Sequence, residues 1–458
     1  MSSKKQARAK AFHLHIPKCG GTSLNLWLST LADTERACKA RTVDDAFYGE
    51  VGRGNLHWHP DSISTPIVAE LAERYDILHS HIDISKWLPS EVVLSTLLRS
   101  PQARCLSQFR DFKRLKENDI KQSTPREARL VRSTWKASSL ADLYSEERDN
   151  PYFYTYFVDT QCWHLLKEAM CFRDFMNLPT TGRAELAIQR LEKDFTVYGT
   201  LEDLDLFTSR LACTIGMCPP GGLHQYNRTD SQKGQEESDC LDLLDDLNQA
   251  DWQLYNHVNC SLASESREIS RNLEYFESRV LPYTLKQVTH EKEGICLAYS
   301  MNEALVCFGL HARDAPGNET TCRWLGSAHE CIIFLPAPQD WEYLTLRIHV
   351  KGWRSPSLRT EFHANINKKP WEHQFAETPN NVADIIEFKH IPINGPWVKI
   401  QIDTSNSLTD EEAGHPSSDN RKKYFNLWKI EICPGEEEHG RQSPMESPRF
   451  HAKLQSQQ

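Results

Sequence analysis

The 458-residue chain has no apolar run that approaches the roughly 18 to 20 residues a helix needs to cross a bilayer. Its first ten residues are polar and basic, without the apolar stretch of a signal peptide. Positive charge is not in excess either, because the net charge is −10, and composition gives no general reason to expect binding to nucleic acid or to an anionic membrane. These absences predict a cytoplasmic protein with no transmembrane segment and no nucleic-acid partner.

Paired cysteines and metal-ligand clusters are also missing. The fourteen cysteines run from Cys19 to Cys433 without a C-x-x-C pair, so we expect reduced, mostly packed thiols. No group of His, Cys, Asp and Glu has metal-ligand spacing, so we predict no metal. With 39% hydrophobic and 25% charged residues, most of the chain should fold, and its length suggests two or three domains.

From about residue 10 to 290, short apolar strands alternate with helical stretches, which is typical of an α/β domain with a largely parallel sheet. The strand candidates are 12–16, 75–78, 92–98 and 196–198. After the first of them, apolar residues recur at spacings of three and four and predict a helix that packs one stripe on the sheet. That stripe consists of Leu24, Trp27, Leu28 and Leu31.

The pattern changes near residue 290. Apolar and polar residues alternate through 344–350 and 398–402, as in half-buried strands, and further apolar runs lie at 331–335, 385–388 and 428–432. Turns rich in Pro and Asn separate them, which predicts an antiparallel β-sandwich. We therefore divide the chain into an α/β domain (1–290), a β-sandwich accessory domain (291–436) and a disordered tail (437–458).

A glycine turn follows the first strand. Strand 12–16 runs into 17–23, which reads PKCGGTS, and then into the predicted helix. Two glycines let the backbone approach a phosphate, and the free N–H groups and dipole of a helix start favour an anion. Lys18 precedes the glycines, so this is not the G-x-x-x-x-G-K-[ST] nucleotide loop. An ordinary strand-to-helix turn is the alternative interpretation.

A second cationic stretch begins where strand 92–98 ends in Arg99. In a parallel sheet, Arg99 should emerge at the same carboxyl edge as the Lys18 turn. Residues 99–136 contain eleven basic and four acidic residues, which favours a polyanionic ligand. A solvated helix face is the alternative for the charges beyond Arg110.

Together the two stretches resemble a known family. Residues 16–23, IPKCGGTS, resemble the 5′-phosphosulfate loop of carbohydrate sulfotransferases, and residues 98–109, LRSPQARCLSQF, resemble their 3′-phosphate motif. The likeness is closest to the heparan sulfate 2-O-sulfotransferase branch and covers roughly residues 1–275. Two positions depart from the pattern: Cys19 stands where Thr or Ser is usual, and Ser100 where Asp is typical.

The resemblance implies an α/β, P-loop-like three-layer sulfotransferase domain with a central parallel sheet, followed here by the antiparallel β-sandwich. It implies transfer of a sulfuryl group from 3′-phosphoadenosine 5′-phosphosulfate (PAPS) to a hydroxyl of a carbohydrate or glycan acceptor, leaving adenosine 3′,5′-bisphosphate (PAP). No metal is needed. Lys18 would also be catalytic, by neutralising the leaving oxygen. The implied donor-binding residues are Lys18, Cys19, Gly20, Gly21, Thr22, Ser23, Arg99 and Ser107.

A histidine should serve as the general base, because its ordinary pKa lies near neutrality. The 2-O-sulfotransferases have a similar His-x-His after an equivalent strand, and this chain has His79 and His81 after 75–78. We expect His79 to be the base, with His81 as the second candidate. His13 and His15 are expected to be hydrogen-bonded strand residues.

Two other functions stay open at this stage. The first is a P-loop-type kinase, against which the chain lacks Gly-Lys-Ser/Thr and an evident Mg-binding carboxylate after a strand. The second is a non-catalytic sulfotransferase-like protein that binds glycans, with the sandwich as its recognition module.

Overall fold

The fold was determined as a computed structural model of the chain. It describes residues 10–20, 24, 27–28, 41–42, 65–121, 123–220, 222, 240–264, 269–302, 305–311, 321–377, 384–415 and 421–435.

A parallel sheet lies in the N-terminal part, as predicted. Its strands are β1 (Ala11–Leu14), β2 (Arg41–Thr42), β3 (Ile77–Ser80), β4 (Val93–Leu98) and β5 (Val197–Thr200). They pair in the order β2-β3-β1-β4-β5, and every pairing is parallel. The central strand β1 is buried along its whole length, which explains why its sequence is apolar apart from one histidine.

Helices connect the strands of this sheet and follow the last of them. They are α1 (Thr65–Arg74), α2 (Pro101–Arg114), α3 (Pro125–Lys136), α4 (Leu140–Glu147), α5 (Pro151–Phe157), α6 (Thr160–Leu166), α7 (Phe172–Asn177), α8 (Thr180–Asp194), α9 (Leu204–Thr214), α10 (Leu241–Leu247), α11 (Gln249–Ser264), α12 (Ile269–Tyr275) and α13 (Leu281–Thr284). A π-helical turn, Phe276–Val280, joins α12 to α13. Several helices begin with a side-chain cap. Thr124 caps α3, and Ser139 forms a capping box with Asp142 at the start of α4.

The predicted helix after the glycine turn is described only in part. Leu24, Trp27 and Leu28 are helical and buried in a cluster that also contains Leu97. Leu31, the fourth residue of the predicted stripe, lies outside the described residues.

In the described residues of the C-terminal part, the chain forms antiparallel strands and one short helix, α14 (Pro356–Thr360). One sheet has the order β13-β12-β16-β10-β8 and the other β14-β15-β11-β17-β7-β6, with β9 paired to β17. The strands are β6 (Glu291–Glu293), β7 (Cys296–Ser300), β8 (Val306–Phe308), β9 (Arg323–Trp324), β10 (Glu330–Pro336), β11 (Tyr343–Trp353), β12 (Ala364–Ile366), β13 (Lys369–Pro370), β14 (Gln374–Glu377), β15 (Asp384–Pro392), β16 (Trp397–Asp403) and β17 (Phe425–Pro434). The prediction of antiparallel sheets in this region is confirmed.

Strand β10 explains how the two parts meet. Cys331, Ile333 and Leu335 point into the core between the two antiparallel sheets. Ile332 and Phe334 point the other way, into a cluster shared with the parallel sheet. The strand is therefore buried on both faces, which is why its sequence is a continuous apolar run and not an alternating one.

A buried ion pair joins the same two parts. Lys399 on β16 lies 2.8 Å from Glu277 in the π-helical turn, and the two side chains are only 5% and 14% exposed. The Lys399 ammonium also lies 5.6 Å from the centre of the Phe334 ring. Because removing one partner would leave a buried charge, this pair constrains how the parts can sit together.

One disulfide corrects the expectation that all thiols are reduced. Cys296 on β7 and Cys433 on β17 are bonded, with 4.2 Å between their Cα atoms. The neighbouring pair Leu297 and Ile432 is in register, so the two cysteines face each other across adjacent antiparallel strands. The other cysteines of the described residues form no disulfide. Disulfides are rare in reducing compartments such as the cytoplasm. This bond therefore does not favour the cytoplasmic location, which stays a prediction.

The first antiparallel strand begins at Glu291, one residue after the predicted end of the α/β domain. The predicted tail, 437–458, lies outside the described residues. No helix in the described part of the chain is both long enough and apolar enough to cross a bilayer.

Replacing Phe334 by alanine should destabilise both parts of the chain together. The ring is fully buried in the shared cluster, and deletion of such a ring costs about 3–5 kcal/mol. Urea denaturation should show this loss in the free energy of unfolding, whereas Tyr283→Ala, at a ring that is 72% exposed, should change it by about 0.5 kcal/mol at most. Unchanged hydrogen exchange in β1 and β4 of the Phe334→Ala variant would contradict a shared core.

Candidate functional site

The carboxyl ends of β1 and β4 meet at the centre of the parallel sheet. From β1 the chain goes to strands on one side, and from β4 it goes to β5 on the other. Ligands of open α/β sheets bind at such a switch point. In spatial order, the strands β3, β1, β4 and β5 lead into His81, Lys18, Arg99 and Glu202.

The turn after β1 has an unusual backbone. Lys18 adopts φ 67°, a left-handed conformation that is uncommon outside glycine, and Gly20 adopts φ 82°. A Cβ atom at Gly20 would lie 2.5 Å from Leu201 Cδ1, so a larger residue would have to displace that side chain as well as adopt a strained positive φ. Of the implied donor-binding residues, Gly21, Thr22 and Ser23 lie outside the described residues.

Arg99 contacts this turn directly. Its Nη1 donates a hydrogen bond to the Lys18 carbonyl oxygen at 3.1 Å. Burial lowers the pKa of the guanidinium, although the nearby Cys19 and Glu202 act in the opposite direction. Glu202 also accepts the backbone N–H of Ser100 at 3.2 Å. The structure thus brings together the two cationic stretches that are about eighty residues apart in the sequence.

Helix α2 follows Arg99 and lies beside the Lys18 turn. Lys18 Nζ forms an ion pair with Asp111 at 3.0 Å, and both side chains are partly exposed. Ser107 lies one turn before Asp111 and is also partly exposed. Residues four apart share a helix face, so Ser107 is on the side of α2 that faces the turn. The start of α2 has no side-chain cap, because Ser100 makes no such bond.

Gln161 connects the two stretches, and the sequence analysis did not single it out. Its Oε1 accepts the Arg99 N–H at 2.9 Å, and its Nε2 donates to the Arg99 carbonyl at 2.9 Å. The same Oε1 accepts the Cys19 thiol at 3.5 Å. Burial raises the pKa of that thiol to about 12, so it is protonated at neutral pH and donates. No local pattern around Gln161 signals these contacts.

Two buried aspartates fix the helix that contains Gln161. Asp251 accepts the N–H of Gln161 at 3.0 Å and of Cys162 at 2.8 Å, at the start of α6. In return, Asp159 accepts the N–H of Ala250 at 3.0 Å, at the start of α11. The Asp251 carboxylate therefore caps α6, the helix that Asp159 precedes. The Asp159 carboxylate caps α11, the helix whose first turn contains Asp251. Burial, and then the neighbouring Asp251, raise the pKa of Asp159 to about 6.

Part of the basic excess in 99–136 lies inside the fold. Arg104 is fully buried; it donates to the Tyr156 carbonyl, and its Nε and Nη1 have no hydrogen-bond partner among the described residues. Arg129, in contrast, is exposed, although it pairs with the buried Glu147 at 2.8 Å. The alternative of a solvated helix face, which concerned the charges beyond Arg110, fits the exposed side chains of Arg129 and Arg132.

Four histidines form two rungs across β1 and β3. The strands are parallel, and His13 lies opposite His79 in their register. His15 and His81 follow two residues later, and their rings stack with 4.3 Å between centroids. His13, as expected, is a hydrogen-bonded strand residue, with its Nδ1 3.2 Å from Ser95 Oγ. His15 differs, because its buried Nε2 has no partner among the described residues.

His81 is oriented from two sides. Its Nδ1 lies 2.7 Å from the His15 carbonyl oxygen, which can only accept, so Nδ1 bears the proton and Nε2 has the lone pair in the neutral ring. The ammonium of Lys167 donates to the His81 carbonyl and lies 3.1 Å from His164 Nδ1. His79, in contrast, is buried within β3. Of the two candidates, His81 is the one beyond the strand end and partly exposed.

Comparison with protein-family models and with curated proteins found no match. Among solved structures, a family GH115 4-O-methyl-alpha-glucuronidase with specificity for decorated arabinogalactans aligns at 10% sequence identity and a TM-score of 0.19. The alignment covers 84% of this chain and 50% of the glucuronidase, so the chain spans about half of that protein's length. A likeness this low carries no argument about fold or function.

Within the described residues, no group of three or more His, Cys, Asp or Glu side chains could hold a metal ion.

Acid should destabilise the fold through His13. Burial lowers the pKa of His13 from 6.5 to about 3, so below pH 6.5 the unfolded chain takes up a proton that the folded chain does not. The stabilisation is fully present above pH 6.5 and is lost toward pH 3, at about 1.4 kcal/mol per pH unit. In His13→Gln, the slope of the free energy of unfolding between pH 6.5 and 5 should fall by about this amount.

The control for this measurement is Phe12→Leu, a change in the adjacent buried residue that adds and removes no titrating group. Phe12→Leu should lower the free energy of unfolding by about the same amount at every pH, so that its slope with pH stays that of wild type. Equal slopes for wild type and His13→Gln would refute the assignment of the acid sensitivity to His13.

Proposed function

We propose that the chain is a sulfotransferase that uses PAPS to sulfate a hydroxyl of a carbohydrate or glycan acceptor. The observation on which this rests is the contact between the Arg99 guanidinium and the Lys18 turn, 3.1 Å apart at the switch point of a parallel sheet. We further propose that the α/β part has the P-loop-like three-layer sulfotransferase fold implied by the sequence resemblance.

The donor set suits a ligand with two separated anionic groups. Such groups need two cationic sites, and charge-assisted hydrogen bonds to phosphate are about twice as strong as neutral ones. Lys18 and the backbone of its turn would bind the 5′-phosphosulfate, and Arg99 with Ser107 would bind the 3′-phosphate. Lys18 is paired with a partly exposed Asp111, an ion pair that is worth little and can be exchanged for a phosphate.

PAPS, when bound, supplies a sulfuryl group on a good leaving group. Sulfuryl transfer resembles phosphoryl transfer, where positioning and charge stabilisation provide most of the acceleration. Lys18 would neutralise the oxygen that leaves the sulfur. A base is then needed for the proton of the acceptor hydroxyl.

His81 is better suited to be that base than His79, which the sequence favoured. The bond from Nδ1 to the His15 carbonyl places the ring proton on Nδ1, which makes Nε2 the basic nitrogen of the neutral ring, and the ring lies past the strand end. His79 is buried in β3, where an acceptor sugar has less access. Lys167 and His15 would then be positioning residues for His81.

The first test is calorimetric titration with PAP, adenosine 5′-phosphate and ATP. Wild type should prefer PAP, and Arg99→Ala should bind PAP about 10-fold to 100-fold more weakly, because hydrogen bonds to a charged group are lost. Arg126→Ala is the matched control, since it removes an exposed arginine of the same basic segment. Equal binding of ATP and PAP by wild type would support the kinase instead.

The second test separates the two histidines. With labelled donor and an acceptor identified in a glycan screen, His81→Ala should lower turnover by about 100-fold to 10,000-fold, the usual contribution of a general base. His79→Ala should cost less, and both variants should keep the wild-type affinity for PAP. Lys18→Ala should also lose turnover. A larger loss in His79→Ala than in His81→Ala would reverse the assignment.

A further inference from the structure

Gln161 lies between the two cationic stretches, and it belongs to no sequence motif. It is the second residue of α6 and is fully buried. Its backbone is fixed by Asp251, which accepts the Gln161 N–H at 3.0 Å. Its side chain therefore extends from an anchored helix start toward the ends of β1 and β4.

The side-chain amide of Gln161 makes two hydrogen bonds to the Arg99 backbone, as the backbone of a neighbouring strand would. It accepts from the Arg99 N–H and donates to the Arg99 carbonyl, both at 2.9 Å, so the peptide groups on either side of Arg99 are held. Only a side chain with both a donor and an acceptor can make these two bonds. The direction in which the Arg99 side chain leaves the backbone is set by this pairing.

Cys19 extends the same contact to the Lys18 turn. Its thiol donates to Gln161 Oε1 at 3.5 Å, and the Arg99 guanidinium returns a bond to the Lys18 carbonyl at 3.1 Å. Gln161, Arg99 and the Lys18 turn thus form a closed ring of hydrogen bonds. Gln161 therefore contacts both cationic stretches at once.

We infer that Gln161, with Cys19, is a positioning residue that sets the spacing between the two anion contacts and so selects ligands with two separated phosphates. The inference rests on the proposed function for the identity of the ligand. Gln161 itself touches no phosphate in this scheme; it acts through Arg99 and the turn.

The test measures a selectivity ratio, the affinity for PAP divided by that for adenosine 5′-phosphate. Gln161→Leu, of similar size and without polar atoms, should weaken PAP binding by about 10-fold to 100-fold, because several hydrogen bonds are lost, and should change adenosine 5′-phosphate binding much less. The ratio should therefore fall. Gln102→Leu is the matched control, because Gln102 lies within the second stretch but donates its amide hydrogen bond to Asp245 at 2.7 Å, away from the ring of Gln161, Arg99 and the Lys18 turn.

Cys19 gives a second, milder measurement if Gln161→Leu fails to fold. Cys19→Ala removes only the thiol donor and should lower the ratio by about 3-fold to 10-fold, the value of one hydrogen bond, while Cys19→Ser keeps a donor and should restore it. In a double-mutant cycle, Cys19→Ala should have no further effect once Gln161 is leucine.

The outcomes separate the inference from the proposed function. A wild type without preference for PAP would refute the function itself. A wild type that prefers PAP, together with an unchanged ratio in folded Gln161→Leu and in Cys19→Ala, would overturn the inference alone. A lower melting temperature with an unchanged ratio would show that these residues serve only the fold, which also overturns it.

Discussion

The parallel pairing of β1 with β3 and β4 determines the rest of the site. Ala11 lies opposite Ile77 on one side and Val93 on the other, so the three strands begin at the same level. Strands that run in the same direction have their carboxyl ends at the same edge of the sheet, so the residues that follow them meet at that edge. A shift of one residue in the register between β1 and β3 would turn the His13 and His79 rings to opposite faces of the sheet.

The same register gives the histidines different environments along the strands. The inner rung, His13 and His79, is buried, and burial holds the pKa of His13 far below its ordinary value. In the outer rung, His81 reaches the strand end, while His15 offers a carbonyl that fixes its tautomer. Burial also lowers the pKa of His15, with His81 the next cause, so the stacked ring beside His81 stays neutral and places no positive charge against it.

The sequence predicted features that follow from a local pattern, such as a residue directly after an apolar strand. It missed contacts that depend on how distant segments pair. Lys18 and Arg99 could be assigned to one edge because each follows an apolar strand and parallel strands share a carboxyl edge. The contact of His15 with His81 depends on the register between strands more than sixty residues apart, and Gln161 reaches Arg99 from 62 residues away without any motif. Cys296 and Cys433 are separated by 137 residues, so no spacing rule could pair them.

The cations of the site differ in how available they are to a ligand. Arg104 is fully buried and donates to the Tyr156 carbonyl. Its positive charge therefore acts on the site electrostatically, but its N–H groups are not accessible to a ligand. Lys18 is paired with Asp111 near the surface, where water already weakens the attraction. Arg99 uses one nitrogen on the Lys18 carbonyl, and its five N–H donors leave others for an anion. A phosphate would therefore displace a weak ion pair at Lys18 and add to an existing bond at Arg99, so binding need not break the ring that Gln161 closes.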